Sequence, residues 1–236
     1  MIKLVAFDLD GTLTQHKTPL DPKNKRVLDA LAKKYSLLMV GAGSCERIHK
    51  QMGEYPIDII GNYGLQFAEY DKSTGKLKMV RDLSFDCDRE AAEEKISILR
   101  QKHGFTEYSG KSVEYHASGC ITFPILGTTA KQEDKLSFDP DRKKRRAFLN
   151  EVRELFPEYT VFVGGSSSFD MAPKPYNKYY ALDLYCKEHG LTHDQVAYIG
   201  DDYGLGGNVE SVYKSDFVYL TIDNYLDFPK VVTPLL

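Results

Sequence analysis

The chain has 236 residues, 42% hydrophobic and 28% charged, which allows one large domain or two small ones with a real core and excludes a disordered polymer. A formal net charge of −3 excludes a bulk positive field for nucleic acid or anionic membrane, and no apolar stretch is long enough to span a bilayer. The four cysteines, Cys45, Cys87, Cys120 and Cys186, are dispersed with no CxxC pair, which speaks against a zinc site or a disulfide framework.

Ile2 to Phe7 are almost continuously apolar and predict a short strand buried on both faces, as in a parallel sheet. Asp8-Leu9-Asp10-Gly11-Thr12-Leu13-Thr14 follows at its carboxyl end, the edge where open α/β sheets bind ligands. Gly11 permits a sharp turn there, and Thr12 offers a hydroxyl and a backbone N–H to an anion. Pro22 to Tyr35 predict an amphipathic helix, and Leu37 to Val40 a second strand ending in Gly41-Ala42-Gly43-Ser44. That small-residue turn precedes a helix starting near Cys45. It can hold a phosphate through Ser44 or through its amides, Gly43 among them, and the glycines leave the register open. Ile57 to Ile60 predict a third strand. Tyr63 to Tyr70 and Lys76 to Val80 predict a hairpin turned at Asp71 to Gly75.

The pattern changes near Asp82. Asp88 to His103 and Arg142 to Phe156 predict helices. Extended segments are expected at Val113 to Tyr115, Cys120 to Ile125, Tyr159 to Val163 and Ser167 to Ala172. The basic run Arg142-Lys143-Lys144-Arg145-Arg146 is expected to be a solvated helix face. Core-like sequence returns with a helix from Lys178 to His189, a strand from Gln195 to Ile199 ending in Gly200-Asp201-Asp202, and a last strand from Asp216 to Leu220. Asp8, Asp10 and Asp201 would then converge on one sheet edge. Three carboxylates repel one another there unless a hard divalent cation such as Mg²⁺ lies between them.

The string DLDGTLT after an N-terminal apolar strand resembles motif I of the haloacid dehalogenase (HAD) superfamily of phosphoryl-transfer enzymes. The resemblance implies that Asp8 is a nucleophile forming an aspartyl-phosphate and Asp10 a general acid/base. It implies a motif II hydroxyl near Ser44 and a motif III lysine at Lys178, in preference to Lys174, neutralising nucleophile and phosphate. Asp8, the Asp10 carbonyl and Asp201 would hold Mg²⁺. The strings Gly164-Gly165-Ser166-Ser167-Ser168-Phe169-Asp170-Met171-Ala172-Pro173, Asn177-Lys178-Tyr179 and Gly206-Gly207-Asn208 resemble the eukaryotic-type phosphomannomutases, in which residues matching Ser168 and Asp170 reach the sugar hydroxyls. The implied fold is α/β, a HAD-like Rossmannoid parallel-sheet core (1–81 and 174–236) with an inserted α+β cap domain (82–173) that selects substrate, and a homodimer through the cap.

Two departures bear on function. Mutases of that family grip a distal phosphate with cap arginines. This chain reads Glu114-Tyr115-His116, Gly127-Thr128 and Asp134-Lys135 at the matching stretches, leaving Lys135 and Lys17 as the available cations. The family continues Gly-Gly-Asn-Asp where this chain has Gly206-Gly207-Asn208-Val209, so a carboxylate supporting the metal site is replaced by an apolar group. The expected function is therefore a cytoplasmic Mg²⁺-dependent phosphatase acting on a small phosphorylated metabolite, a sugar phosphate, with no nucleic-acid or membrane partner. The alternatives are a true phosphomannomutase and a weakened enzyme that only binds a phosphorylated ligand.

Overall fold

The computed structural model describes all 236 residues. In chain order the elements are β1 (Leu4–Phe7), α1 (Pro22–Leu31), β2 (Ser36–Val40), α2 (Cys45–Gln51), β3 (Asp58–Gly61), β4 (Gln66–Asp71) and β5 (Lys76–Asp82). Then come α3 (Arg89–His103), β6 (Glu114–Tyr115), β7 (Ile121–Pro124), α4 (Gln132–Phe138), α5 (Lys143–Leu155), β8 (Tyr159–Phe162) and β9 (Ser168–Pro173). The chain closes with α6 (Lys178–His189), β10 (Val196–Gly200), α7 (Glu210–Tyr213), β11 (Val218–Thr221) and α8 (Phe228–Val231).

These elements form two compact units: residues 1–83, 176–204 and 209–236, and residues 84–175 with 205–208. The first holds a seven-stranded sheet ordered β11-β10-β1-β2-β3-β4-β5. Strands β11 to β3 run parallel and the β4–β5 hairpin is antiparallel. The continuous apolar run of β1 follows from its central place. Val5 and Phe7 enter a core with Leu28, Leu31, Ile48 and Phe228, while Leu4 and Ala6 enter a second core with Leu182, Tyr185 and Val212. Helices α1, α2 and α8 thus cover one face and α6 and α7 the other, an arrangement in which neither face meets water.

The second unit is an antiparallel sheet ordered β6-β7-β9-β8. Ile121, Phe123, Val161, Phe169 and Met171 project from it into a core completed by Ile96 and Leu99 of α3 and Leu149 and Val152 of α5. The fragment 205–208 belongs with this unit, since Val163 N donates to the Gly206 carbonyl at 2.8 Å.

Several expectations are corrected. Helix α1 stops at Leu31, and Lys33 to Tyr35 form a tightened turn on carbonyls of Ala30 and Leu31. The hairpin begins at Gln66, because Asn62, Tyr63 and Gly64 all take positive φ in a tight turn. Helix α4 escapes sequence reading because it buries none of its residues and so leaves no apolar stripe. The basic run is not simply a solvated face. Arg145 is fully buried, and its Nε donates to Asp139 Oδ2 at 2.8 Å.

Candidate active site

The parallel register places Phe7 beside Ile199, so Asp8 and Asp201 emerge from neighbouring strand ends. Asp8 N donates to the Ile199 carbonyl at 2.9 Å, continuing the pairing to the carboxylate. Lys178 opens α6, whose N-cap Asn177 accepts from Tyr180 N, and that start delivers the lysine to the sheet edge. Its Nζ lies 2.6 Å from Asp8 Oδ1 and the side chain is fully buried. Leu9 N also donates to Asp8 Oδ1, at 2.8 Å.

Gly11 is required by the same corner. Its φ is +89°, and a methyl group there would lie 2.3 Å from Asp201 Oδ2. Thr12 does not present the free anion donors expected of it. Its hydroxyl donates to Asp201 Oδ1 at 3.0 Å and its N–H to the Leu9 carbonyl at 3.2 Å. Main-chain bonds among residues 9–14 close the loop.

Asp10 points elsewhere. Its Oδ1 accepts from Lys17 N and from Gln51 Nε2, both at 2.7 Å, and Thr14 Oγ1 lies at 3.4 Å. Its Oδ2 faces Arg47 Nη1 at 3.9 Å and His16 Nδ1 at 4.0 Å. Lys17 thus reaches the site through its backbone amide, held by a φ of +56°, while its side chain is exposed. No group of three His, Cys, Asp or Glu side chains gathers closely enough to hold a metal ion, so the expected convergence of three carboxylates is corrected to two. What could hold a hard cation is the Asp8 and Asp201 carboxylates together with the Asp10 main-chain carbonyl. The donor set suits Mg²⁺, being oxygen alone. The paired negative charge is felt nearby. Tyr198 and Tyr219 are pushed up chiefly by burial, and the Asp8 and Asp201 charges add to both.

Ser44 caps α2, its Oγ accepting from Arg47 N at 3.2 Å. Gly43 has a role the sequence did not announce. A methyl group there would lie 2.2 Å from Arg47 Nε and Nη2, so the arginine side chain lies across the bare glycine. Arg47 and Gln51 are the site residues that sequence reading missed. Their only signal was an i, i+4 polar pair on the helix after motif II.

In the second unit, Thr122 Oγ1 donates to Asp170 Oδ1 at 3.1 Å, and the Ser168 hydroxyl lies 3.5 Å from the same oxygen while donating to the Gly164 carbonyl at 3.1 Å. His116 Nε2 lies 3.0 Å from Thr122 Oγ1. Lys135 Nζ donates to the Thr128 carbonyl at 2.9 Å. Ser168 and Asp170 therefore share one polar cluster, and Lys135 lies in another.

The model of the eukaryotic phosphomannomutase family matches residues 24–230. The phosphomannomutase of Solanum lycopersicum is 26% identical over 224 residues, covering 90% of this chain and 85% of that protein. That of Saccharomyces cerevisiae is 26% identical over 221 residues, covering 89% and 84%. Among solved structures, an IMP-bound, N-terminally truncated IMP-nucleotidase of Plasmodium falciparum superposes with a TM-score of 0.67 at 15% identity, over 99% of this chain and 68% of that one. A haloacid dehalogenase-like hydrolase from B. subtilis superposes with a TM-score of 0.62 at 15% identity, over 98% and 93%. The fold is thus of the HAD type. The family match runs through both units, and on it the chain belongs to the eukaryotic phosphomannomutase family.

Proposed function

We propose that this family member is a phosphatase that cleaves a sugar phosphate through an aspartyl-phosphate on Asp8. The observation that carries the reading is the buried Lys178 ammonium 2.6 Å from Asp8 Oδ1 at the end of the central strand. Leu9 N and Lys178 both bind Oδ1, which leaves Oδ2 as the attacking oxygen. Oδ2 forms the new bond to phosphorus as the bond to the leaving oxygen breaks. Lys178 offsets the charge on the transferred group, and Ser44 donates to it. Asp10 gives its proton to the leaving alkoxide, then takes one from the water that attacks the acyl phosphate, releasing inorganic phosphate and restoring Asp8. Mg²⁺ on Asp8, Asp201 and the Asp10 carbonyl would neutralise the phosphate and so permit one anion to approach another. Ser168 and Asp170 are the proposed partners of the sugar hydroxyls.

The mutase activity that names the family is the second reading, favoured by the family match itself. Against it stands the use made of two arginines of the second unit, Arg100 and Arg145. Arg100 spends its guanidinium on the carbonyls of Phe105, Ser112, Pro124 and Ile125, and Arg145 on Asp139 and the carbonyls of Gly164, Gly165 and Ser168. Lys135 is likewise engaged by Thr128. None of these is a bidentate clamp for a second phosphate. The test is phosphate release from a panel of sugar phosphates with Mg²⁺, run beside isomerisation of mannose 1-phosphate with glucose 1,6-bisphosphate. Release without isomerisation, abolished by Asp8→Asn, is the expected result. Isomerisation would replace this reading with the mutase, and silence in both assays would leave a protein that only binds its phosphorylated ligand.

A further inference from the structure

Asp10 is held in an uneven way. Both short hydrogen bonds fall on Oδ1, from Lys17 N and Gln51 Nε2, while Oδ2 faces only the half-exposed Arg47 guanidinium and His16 ring, at 3.9 and 4.0 Å. One of the Oδ1 donors is a side chain, and its orientation is itself controlled. A glutamine amide has one accepting end and one donating end of nearly identical shape, and its neighbours decide which end points where.

Here the deciding neighbour is Arg47. A guanidinium only donates, and Arg47 Nη1 lies 2.8 Å from Gln51 Oε1. The amide oxygen must therefore face the arginine. The NH₂ end then faces Asp10 Oδ1 at 2.7 Å and Thr14 Oγ1 at 3.2 Å, where both partners can accept. Arg47 is kept at this place by lying over Gly43 and by its i, i+4 position on α2. Without it only the Asp10 carboxylate would select that end, and once Asp10 carries its proton it can donate and no longer does so.

From this geometry we infer that Gln51 is a positioning residue for the proton-transferring carboxylate of Asp10, and that Arg47 acts through Gln51 by fixing which end of its amide faces that carboxylate. The pair anchors Oδ1 and so presents Oδ2 for the proton that goes to the leaving oxygen. The inference rests on the reading of Asp10 as the general acid.

The experiment compares kcat/KM for two substrates, because that ratio reports the first phosphoryl transfer. One is p-nitrophenyl phosphate, whose phenolate leaves with little need of a proton. The other is the alkyl phosphate of the sugar-phosphate panel that is hydrolysed fastest. Wild type, Asp10→Asn, Gln51→Met, Arg47→Met and Arg47→Lys are measured, with thermal melting to verify folding. A correctly placed general acid contributes about 10²–10⁴-fold. Gln51→Met and Arg47→Met are expected to lose about tenfold more on the alkyl phosphate than on the aryl one, a smaller version of the Asp10→Asn pattern. Arg47→Lys, which keeps a pure donor, is expected to restore the balance. Equal losses on both substrates for Gln51→Met, with Asp10→Asn still selective, would overturn the inference alone. Equal losses for Asp10→Asn would overturn the reading of Asp10 and the inference with it. Failure of Arg47→Lys to rescue while Gln51→Met remains selective would remove the arginine from the device.

Discussion

Lys178 Nζ stands 2.6 Å from Asp8 Oδ1, with the lysine wholly buried and the carboxylate side chain 7% exposed. Removing one partner of such a pair leaves an uncompensated buried charge, which costs about 3–5 kcal/mol. Lys178→Met is therefore expected to lower unfolding free energy by that order and to abolish phosphate release. The double variant Asp8→Asn with Lys178→Met is expected to be more stable than Lys178→Met alone, since neither charge remains. Urea denaturation of the four proteins completes the cycle. Simple additivity of the two losses would contradict a direct pair.

Gly11 makes a second, independent contribution to the same corner. An alanine there meets both a φ of +89° and the Asp201 carboxylate, its methyl 2.3 Å from Oδ2. The backbone cost is about 1–2 kcal/mol, too little to unfold a domain of this size. The larger effect is on the site, because Asp201 must move and its bond from Thr12 Oγ1 must break. Gly11→Ala is expected to remain folded by circular dichroism while losing roughly 10²-fold in phosphate release. Activity within a few-fold of wild type would show that the position of Asp201 is not critical.

Arg145 is the residue whose role the sequence concealed most completely. In a run of five basic residues nothing distinguishes it, yet it is fully buried while Lys143 and Lys144 are exposed. What sets it apart is tertiary. Burial alone would raise the Asp139 carboxyl, but hydrogen bonds from the Arg145 side chain and from the Arg145 and Lys144 amides hold it below its ordinary value. The guanidinium then ties the carbonyls of Gly164, Gly165 and Ser168. Arg145→Lys keeps the charge but not the planar fork, so it is expected to destabilise almost as much as Arg145→Met, by about 3–5 kcal/mol. Amide exchange at 164–168 should accelerate in both. Unchanged protection there would separate the arginine from the loop.

His193 lies between two carboxylates, with Nε2 3.1 Å from Asp183 and Nδ1 2.5 Å from Asp216, and its ring stacks on Phe217. Burial pulls its pKa down, but Asp216 and Asp183 outweigh burial and the net shift is upward. Both carboxyls are correspondingly held low, against the opposing effect of burial. A raised histidine contributes stability that is complete below its unfolded value of about 6.5 and is lost as pH rises through the folded one. The depressed carboxyls contribute above about 3.8 and lose it as pH falls. The clamp is therefore strongest between about pH 4 and 6.5. Asp216 is largely exposed while His193 and Asp183 are partly buried, so the melting temperature is expected to fall by only about 2–4 °C more in wild type than in His193→Gln between pH 6 and 8.5. Parallel curves for the two proteins would exclude the clamp.

The motifs were legible because the residues that carry them sit at strand ends in fixed order. An apolar strand followed by Asp8, and another followed by Asp201, must meet if the two strands pair in parallel, and they do. Side-chain direction was not legible in the same way. Asp10 is two residues from Asp8, but Gly11 reverses the chain and Lys17 N captures the Asp10 carboxylate, so the aspartate faces α2. Thr12 is likewise claimed by Asp201. Each depends on a partner seven or more residues away, which no local pattern announces.

Val209 stands where the resemblance to the family implies an acid, and it is buried with Tyr198, Val212 and Phe217. Its N–H donates to the Asp202 carbonyl at 3.3 Å, and its Cγ1 would lie 3.3 Å from a methyl group at Gly200, so it stands directly behind the acidic strand end. Restoring the acid by Val209→Asp adds a carboxylate to a place where Asp8 and Asp201 already raise the neighbouring tyrosines. Without a cation this is expected to lower stability by about 3–5 kcal/mol, the cost of an uncompensated buried charge. With Mg²⁺ the same charge should help hold the ion, since support around a metal site is worth about 10–100-fold in affinity. The measurement is the melting temperature of wild type and Val209→Asp across a Mg²⁺ titration. A larger Mg²⁺-induced rise in the variant, with a lower midpoint concentration, is the expected result. An equal response in both proteins would mean that Val209 lies outside the reach of the ion and that its substitution for an acid is a matter of core packing alone.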